Sequence, residues 1–499
     1  MPQHLLAIDQ GTTGSTVLVL GEGGEVLGRA TREFPQHSPR PGWVEHEPGD
    51  LWTSVLAAIE EAVRASDVDA GDCAAIGLTN QRETALLWRR SDGRPVHRAI
   101  VWQDRRTSAR CAELREAGHL PYVRERTGLV LDPYFSATKL EWMLRHVDGA
   151  LDRAKAGELA FGTVDSYLVY RLTGGREHLT DATNASRTLL LDLRTQRWDP
   201  ELCALFGIPE AVLPRVVGNA EVVGHTHGVP GLPDGIPIAG MAGDQHAALF
   251  GQTCFAPGDA KCTYGTGAFL LTNTGAEAVP SEHGLVTTVA WRIGSETTYA
   301  LEGSAFIAGA AVQWLRDGLG LIERSEDVEA LARQVDGVGE VVFVPALAGL
   351  GAPHWDPDAR GLIAGLTRDT TAAHLARAAL EGIAFQITDL LEAMEADAGQ
   401  GTRRLRVDGG ASRNDLLMQL QSDFAHVPID RPAVVETTAL GAAYLAGLGV
   451  GLFADRDEVA KAYRVERRFE PGMDDRERET HLHRWRGAVD RARSTRAWR

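Results

Sequence analysis

The sequence predicts a mixed α/β fold in which one design is used twice. Three observations carry this. The chain opens with three short apolar runs joined by turns, followed by a helical pattern and a further apolar run. The second half repeats that order. Gly-rich turns also stand at strand ends in both halves, as "IDQGTTGST", "YGTGAF" and "VDGGASRN". A chain of 499 residues has room for about three domains of roughly 150 residues or for two larger ones. The repeated order favours two, 1–251 and 252–499, with the divide near Gly251.

The elements follow from local pattern. Leu5–Ile8, Thr16–Leu20 and Glu25–Thr31 read as strands in two hairpins, because Gly-rich polar stretches separate them. Leu51, Val55, Ala58, Ile59 and Val63 recur at helical spacing, and "CAAIGLT" after them is a strand. In the second half "AKCTYGTGAFLLTNTG" is again strand, turn, strand, and "EVVFVPAL" is a strand. A long amphipathic helix follows, with Leu375, Ala379, Ile383, Ile387, Leu391 and Met394 as its buried stripe and Gly399 as its stop. "RRLRVDGGASRNDLLMQLQSDF" reads strand, turn, helix, and "TTALGAAYLAGLGVG" is a last small-residue helix. The tail from about Arg467 is rich in charge and reads as a solvated terminal helix.

Composition excludes several classes. The net charge of -17 argues against a nucleic-acid or anionic-membrane binder, which needs a basic footprint. It does not exclude a phosphate site, since backbone N–H groups bind phosphate locally. The five cysteines are scattered without a CxxC pair, which fits a reducing compartment and small buried side chains. Neither a signal peptide nor a membrane-spanning run is visible, so a cytoplasmic protein is expected.

The Gly-rich turns are the first chemical signal. In "IDQGTTGST" glycine lets the backbone approach an anion and Thr12 and Thr13 add donors. Asp9, at a strand end, suits Mg²⁺ held through water. A plain Gly-Thr hairpin explains that turn alone equally well. Three such turns spread over two matching halves point to a nucleotide held between two lobes. No Gly-Lys dipeptide occurs, which excludes a Walker A loop. The second signal is "GLTNQRETALLW", where Arg82 and Glu83 stand between two apolar runs. They are either a solvated turn pair or a grip for hydroxyl groups.

Taken in order, "AIDQGTTGST", "PGWVEHEP", "GLTNQRET", "VWQDRRT", "FSATKLEWML", "DATNASRT", "AGDQHAALFGQ", "YGTGAF", "GLGAPHWDPDARG" and "DGGASRN" resemble the FGGY carbohydrate kinases nearly end to end. The resemblance implies two actin-like, ribonuclease-H-like domains with ATP and Mg²⁺ in the cleft between them and glycerol as phosphate acceptor. It implies that Arg82 and Glu83 face the polyol, where a guanidinium fork donates and a carboxylate accepts. Trp102 and Phe269 match positions that flank the carbon chain, although core packing also suits them. Tyr134 and Gln245 would hydrogen-bond hydroxyls. Asp244 would be the general base and, with Asp9, would hold Mg²⁺ through water; an ordinary helix cap is the plainer reading of Asp244. Thr12, Thr13 and Gly14 would hold terminal phosphates, Thr266 and Gly267 phosphate from the other lobe, Gly309 and Gln313 the nucleotide, and Gly410 and Asn414 the adenosine. A homo-oligomer, dimer or tetramer, is expected.

There are departures. Some members have Ser and Arg where Gly14 and Thr16 stand. Some are inhibited by a phosphorylated sugar through a basic loop, which here is "THGVPGLPDGIPI", without Lys or Arg. His225 and His227 have HxH spacing but no evident third metal ligand. A kinase for another small polyol or dihydroxyacetone would share these residues. A non-catalytic actin-like nucleotide binder would not need Arg82, Glu83 and Asp244 together.

Overall fold

The computed structural model describes residues 4–21 and 23–494. Its first sheet begins as the apolar runs require: β1 (His4–Gln10), β2 (Gly14–Leu20) and β3 (Val26–Glu33) form an antiparallel meander. Helix α1 (Pro48–Ser66) buries Leu51, Val55, Ala58 and Ile59, and leads to β4 (Cys73–Asn80), parallel to β1. Strands β5 (Ala220–His225) and β6 (Pro237–Gly243) complete the order β5-β6-β4-β1-β2-β3. Helix α2 (Asp244–Gly251) starts where β6 ends.

The second sheet repeats this plan. Strands β7 (Asp259–Tyr264), β8 (Ala268–Gly275), β9 (Val286–Ile293) and β10 (Glu296–Ala305) precede helices α3 (Gly309–Asp317) and α4 (Ala372–Ala398). Then come β11 (Arg404–Asp408), α5 (Asp415–Ala425), β12 (Ile429–Pro432), α6 (Thr437–Gly449), β13 (Val465–Phe469) and α7 (Asp475–Ala492). The order is β9-β10-β8-β7-β11-β12-β13, so the core run β10-β8-β7-β11-β12 repeats β3-β2-β1-β4-β6. The "EVVFVPAL" strand lies outside this sheet, as Val342–Val344 paired with Leu362–Ala364.

Three expectations change. The tail is not a solvated helix: α7 buries Leu482, Trp485, Ala488, Val489 and Ala492 against the second core. Those positions follow helical spacing, and the charges occupy the other face. Helix α4 is more than an amphipathic surface helix. Every residue from Ala378 to Thr388 is buried, whereas Leu375 is only half-buried. Helix α6 comes from the second half of the chain but packs on β4, β6 and α2 of the first sheet. Small residues permit this close approach: a Cβ on Gly77 would lie 2.2 Å from the Ala442 carbonyl oxygen, and one on Gly441 would lie 1.8 Å from that of Ala247. The five cysteines are free and buried, as expected. Among the described residues no helix is long and apolar enough to cross a membrane.

Candidate functional site

The carboxyl ends of the parallel strands β1, β4 and β6 place Asp9, Arg82 and Asp244 at one edge of the first sheet, the usual ligand edge of open α/β sheets. The chain turns sharply just after β4. Thr84 N–H donates to the Arg82 carbonyl at 2.7 Å, and Glu83 between them has φ of +60°. This γ-turn is a strained conformation for a non-glycine residue, and such strain concentrates at ligand sites. The turn lies beyond β4, and through it the consecutive side chains of Arg82 and Glu83 enter one ion network.

Neither residue is a solvated turn charge. Arg82 is 3% exposed and Glu83 1%. The terminal nitrogens of Arg82 donate to both carboxylate oxygens of Glu302, on β10, at 2.6 and 2.8 Å. Its Nε lies 3.1 Å from Asp244 Oδ1, and Nη2 lies 3.4 Å from the Tyr134 hydroxyl. Arg187 donates to Glu83 Oε1 at 2.7 Å and to Glu302 Oε1 at 3.1 Å. Two buried cations therefore face two buried anions, with Asp244 at the open side. Burial alone would raise Glu302; Arg187 and Arg82 overrule it and hold this carboxyl well below its ordinary value. Burial wins at Glu83, whose carboxyl is raised despite Arg82 and Arg187.

Three half-buried aromatic rings stand beside this network. Trp102 meets Tyr134 edge-on at 5.7 Å between ring centroids and Phe269, from the other lobe, at 6.3 Å. The indole Nε1 donates to Thr12 Oγ1 at 2.9 Å, which ties the ring to the first Gly-rich turn. Lys139 fixes the Tyr134 loop by donating to the carbonyls of Pro133 at 2.8 Å and Phe135 at 2.9 Å. Burial pulls its amine down to about 7. Gln245 does not have a free amide oxygen: it accepts from Lys261, a buried residue on β7 whose amine also donates to Thr263 Oγ1 at 2.9 Å.

Asp244 does not cap α2 through its side chain; among the described residues the one backbone N–H its Oδ1 accepts is its neighbour's, from Gln245 at 2.7 Å. The plain helix-cap reading therefore fails. Asp9 has no protein hydrogen-bond donor among the described residues. Burial, and secondarily the charge of Asp244, push its carboxyl up to about 7. Such a carboxylate pair suits a divalent cation. Among the described residues no group of three or more metal-ligating side chains exists, so the remaining ligands would be phosphate and water oxygens, as Mg²⁺ prefers. The same fact leaves His225 and His227 without a metal partner set; His227 pairs with Asp234 at 2.8 Å.

The residues of the Gly-rich turns lie at three strand ends. Thr12 and Gly14 are half-buried and Thr13 is exposed in the β1–β2 turn. Gly14 lies close under β3, where a Cβ would meet the Arg32 carbonyl oxygen at 3.0 Å, and Thr16 pairs with the Thr31 hydroxyl at 3.0 Å. In the β7–β8 turn Thr266 is exposed and Gly267 is buried. The Thr266 carbonyl accepts from Ala308 at 2.9 Å and Ala310 at 3.0 Å, so the start of α3 is held against this turn. Gly309 permits that approach, because a Cβ there would lie 2.7 Å from the Gly265 carbonyl oxygen. Gln313 is exposed on the same helix. After β11, Gly409 packs on the Tyr264 carbonyl oxygen, 2.5 Å from where a Cβ would be, while Gly410 faces open space. Asn414 Oδ1 caps α5 by accepting from Leu417 at 2.8 Å, leaving its amide N–H groups free.

Glu302, Arg187, Lys261 and Lys139 have no assigned role in the sequence reading. Arg187 stands in the "DATNASRT" motif and Lys139 in "FSATKLEWML", so those motifs were the available signal. Glu302 carries no local mark.

Two sheets with Gly-rich turns at their strand ends, a carboxylate pair and a buried charged network fit the architecture of a phosphotransferase acting on a hydroxyl acceptor. Sequence comparison makes this specific. The profile of the FGGY family of carbohydrate kinases, N-terminal domain, matches residues 4–251, and that of the C-terminal domain matches 260–450. The glycerol kinase of Myxococcus xanthus is 57% identical over 492 residues, covering 98% of this chain and 99% of that protein. That of Aromatoleum aromaticum is 59% identical, covering 98% and 99%. The crystal structure of Plasmodium falciparum glycerol kinase with ADP superposes with a TM-score of 0.93 at 36% identity, covering 98% of both chains. The chain belongs to the FGGY family of carbohydrate kinases.

Proposed function

We propose that the chain phosphorylates glycerol at the expense of ATP, giving sn-glycerol 3-phosphate and ADP. The relatives' shared name supports the acceptor. The observation in the molecule that carries it is the juxtaposition of Arg82, Glu83 and Asp244 with the ring of Tyr134, which Trp102 and Phe269 adjoin. A three-carbon triol has little apolar area to bury, so charge-assisted hydrogen bonds of about 1.5–3 kcal/mol each must select it.

In this reading Glu83 Oε2, which takes no protein hydrogen bond among the described residues, accepts from a hydroxyl. Arg82 and the Tyr134 hydroxyl serve another. Trp102 and Phe269 flank the carbon chain. Asp244 takes the proton of the hydroxyl whose oxygen attacks the γ-phosphorus, and the bond to the ADP oxygen breaks. Thr12, Thr13, Gly14, Thr266 and Gly267 approach the phosphates, and Gly309, Gln313, Gly410 and Asn414 the rest of the nucleotide. Asp9 and Asp244 would hold Mg²⁺, which supplies charge neutralisation at the phosphates when bound. Gln245, already held by Lys261, offers its amide N–H groups rather than its oxygen. The free thiols fit a cytoplasmic setting.

The test is ATP-dependent phosphate transfer by the purified protein with glycerol, dihydroxyacetone, erythritol, xylulose or no acceptor. A strong preference for glycerol supports the proposal. Preference for another acceptor overturns the specificity reading, and acceptor-independent behaviour overturns the kinase chemistry.

A further inference from the structure

Two of the four charges in the buried network touch the polyol in the reading above, and two do not. We propose that the second pair, Arg187 and Glu302, are positioning residues for the acceptor: Arg187 fixes which oxygen of Glu83 faces the hydroxyls, and Glu302 fixes the orientation of Arg82. This rests on the acceptor reading and extends it.

The geometry argues for it at both ends. Arg187 is completely buried and donates through Nε to Glu83 Oε1 at 2.7 Å. A carboxylate turns freely about its last bond unless one oxygen is anchored. With Oε1 held, Oε2 is the oxygen left to accept from a ligand. The guanidinium carbon of Arg187 also stands 5.7 Å from the Tyr134 ring and 5.2 Å from Phe135, so it supports a second wall of the same space. Glu302 grips both terminal nitrogens of Arg82 in the bidentate form, at 2.6 and 2.8 Å, which defines the guanidinium plane. That plane turns Nε toward Asp244 at 3.1 Å. The third side of the arrangement is Arg187 to Glu302 at 3.1 Å. The fourth is the looser contact of Arg82 Nε with Glu83 Oε1 at 3.9 Å. Two positive and two negative side chains thus close a ring in which each orients the next.

The ring also joins the lobes. Arg82, Glu83 and Arg187 belong to the first half of the chain, and Glu302 lies on β10 of the second sheet. The polyol grip is therefore completed by a residue from the nucleotide side. Arg187 sits just past the short helix Ala182–Ala185, which is itself anchored: Asp181 accepts from Thr183 N–H at 2.8 Å, and the Thr183 hydroxyl accepts from Gly243 N–H at 2.8 Å. Gly243 immediately precedes Asp244. One motif, "DATNASRT", thereby orients Glu83 and steadies the turn that carries the proposed base. This gives that motif a role without placing it against substrate.

The experiment compares Arg187→Met, Arg187→Lys, Glu302→Gln and wild type, using the full chain, by steady-state kinetics with glycerol and ATP varied separately. Circular dichroism checks folding. KM for glycerol is expected to rise roughly 10- to 100-fold in Arg187→Met and Glu302→Gln, by analogy with the loss when the partner that orients a metal-ligating side chain is removed. KM for ATP should stay near the wild-type value, and Arg187→Lys should recover part of the loss. The preference for glycerol over propane-1,2-diol, which lacks one hydroxyl, should shrink in both variants. A purely structural role would lower the folded fraction and leave KM for glycerol unchanged. Folded variants with wild-type KM for glycerol, or with both KM values rising together, overturn the proposal. If Arg187→Met does not fold, Glu302→Gln and Arg187→Lys decide by the same criteria. Wild type without activity on glycerol overturns the acceptor reading itself, which separates the two failures.

Discussion

Replacing Asp244 by Asn removes the proposed proton acceptor and its cation-facing charge together, and the structure lets the fold survive the change. Asp244 Oδ1 accepts from Gln245 N–H at 2.7 Å and lies 3.1 Å from Arg82 Nε. An asparagine oxygen can accept both. Arg82 keeps its bidentate bond to Glu302, so no buried cation is stranded. The Asp244 side chain is 28% exposed and Arg82 keeps a carboxylate partner, so the fold should survive the lost charge. What asparagine cannot do is take a proton. General-base catalysis contributes about 10²- to 10⁴-fold, or about 2.7–5.4 kcal/mol of barrier. The variant should therefore lose at least about 10²-fold in kcat while its melting temperature and its binding of nucleotide without Mg²⁺ stay close to wild type. The assay is coupled ADP formation with saturating glycerol, beside calorimetric titration of nucleotide. A kcat within about tenfold of wild type would refute the base assignment, since the smallest expected loss is larger.

Other perturbations test the frame. Gly441→Ala would place a Cβ 1.8 Å from the Ala247 carbonyl oxygen on α2, a backbone atom that cannot give way cheaply, so a loss of about 3 kcal/mol is expected in urea unfolding, with reduced activity because α2 carries Asp244. Glu381, 3% exposed on α4, has its carboxyl pushed up to about 7 by burial, against the pull of Arg377. The folded state therefore holds a proton that the unfolded chain has already lost, and this group's contribution to stability is greatest at acid pH and falls as pH rises toward 7. Glu381→Gln should remove that slope, so the variant's melting temperature should gain on wild type between pH 5 and pH 8; a difference independent of pH would contradict it.

Much of the fold was legible because its signals are local. The hairpins β1–β2 and β7–β8 announce themselves by apolar runs split by Gly-rich turns, and α1 by the spacing from Leu51 to Ile59. What stayed hidden depends on distance along the chain or on competing cues. Glu302 meets Arg82 across 220 residues, and its strand neighbours give no sign of it. Lys261 looks like an ordinary strand lysine until its amine is seen against Gln245. The charge of the tail masked the spacing of Leu482, Trp485, Val489 and Ala492, which a periodicity count would have found. The small-residue helix α6 gave its type but not its address, since close glycine packing on β4 and β6 is decided by tertiary fit. Arg82 and Glu83 were readable as a pair; the γ-turn that carries them was not.

The central claim is that glycerol sits between the charged network and the aromatic rings with one terminal hydroxyl on Asp244. A crystal structure of the protein with glycerol and a non-hydrolysable ATP analogue tests this most directly. The account predicts a terminal hydroxyl within hydrogen-bond reach of the Asp244 carboxylate and facing the γ-phosphate, the other hydroxyls on Arg82 and Glu83, and the carbon chain between Trp102 and Phe269. Glycerol bound elsewhere, or with every hydroxyl beyond reach of Asp244, would contradict it.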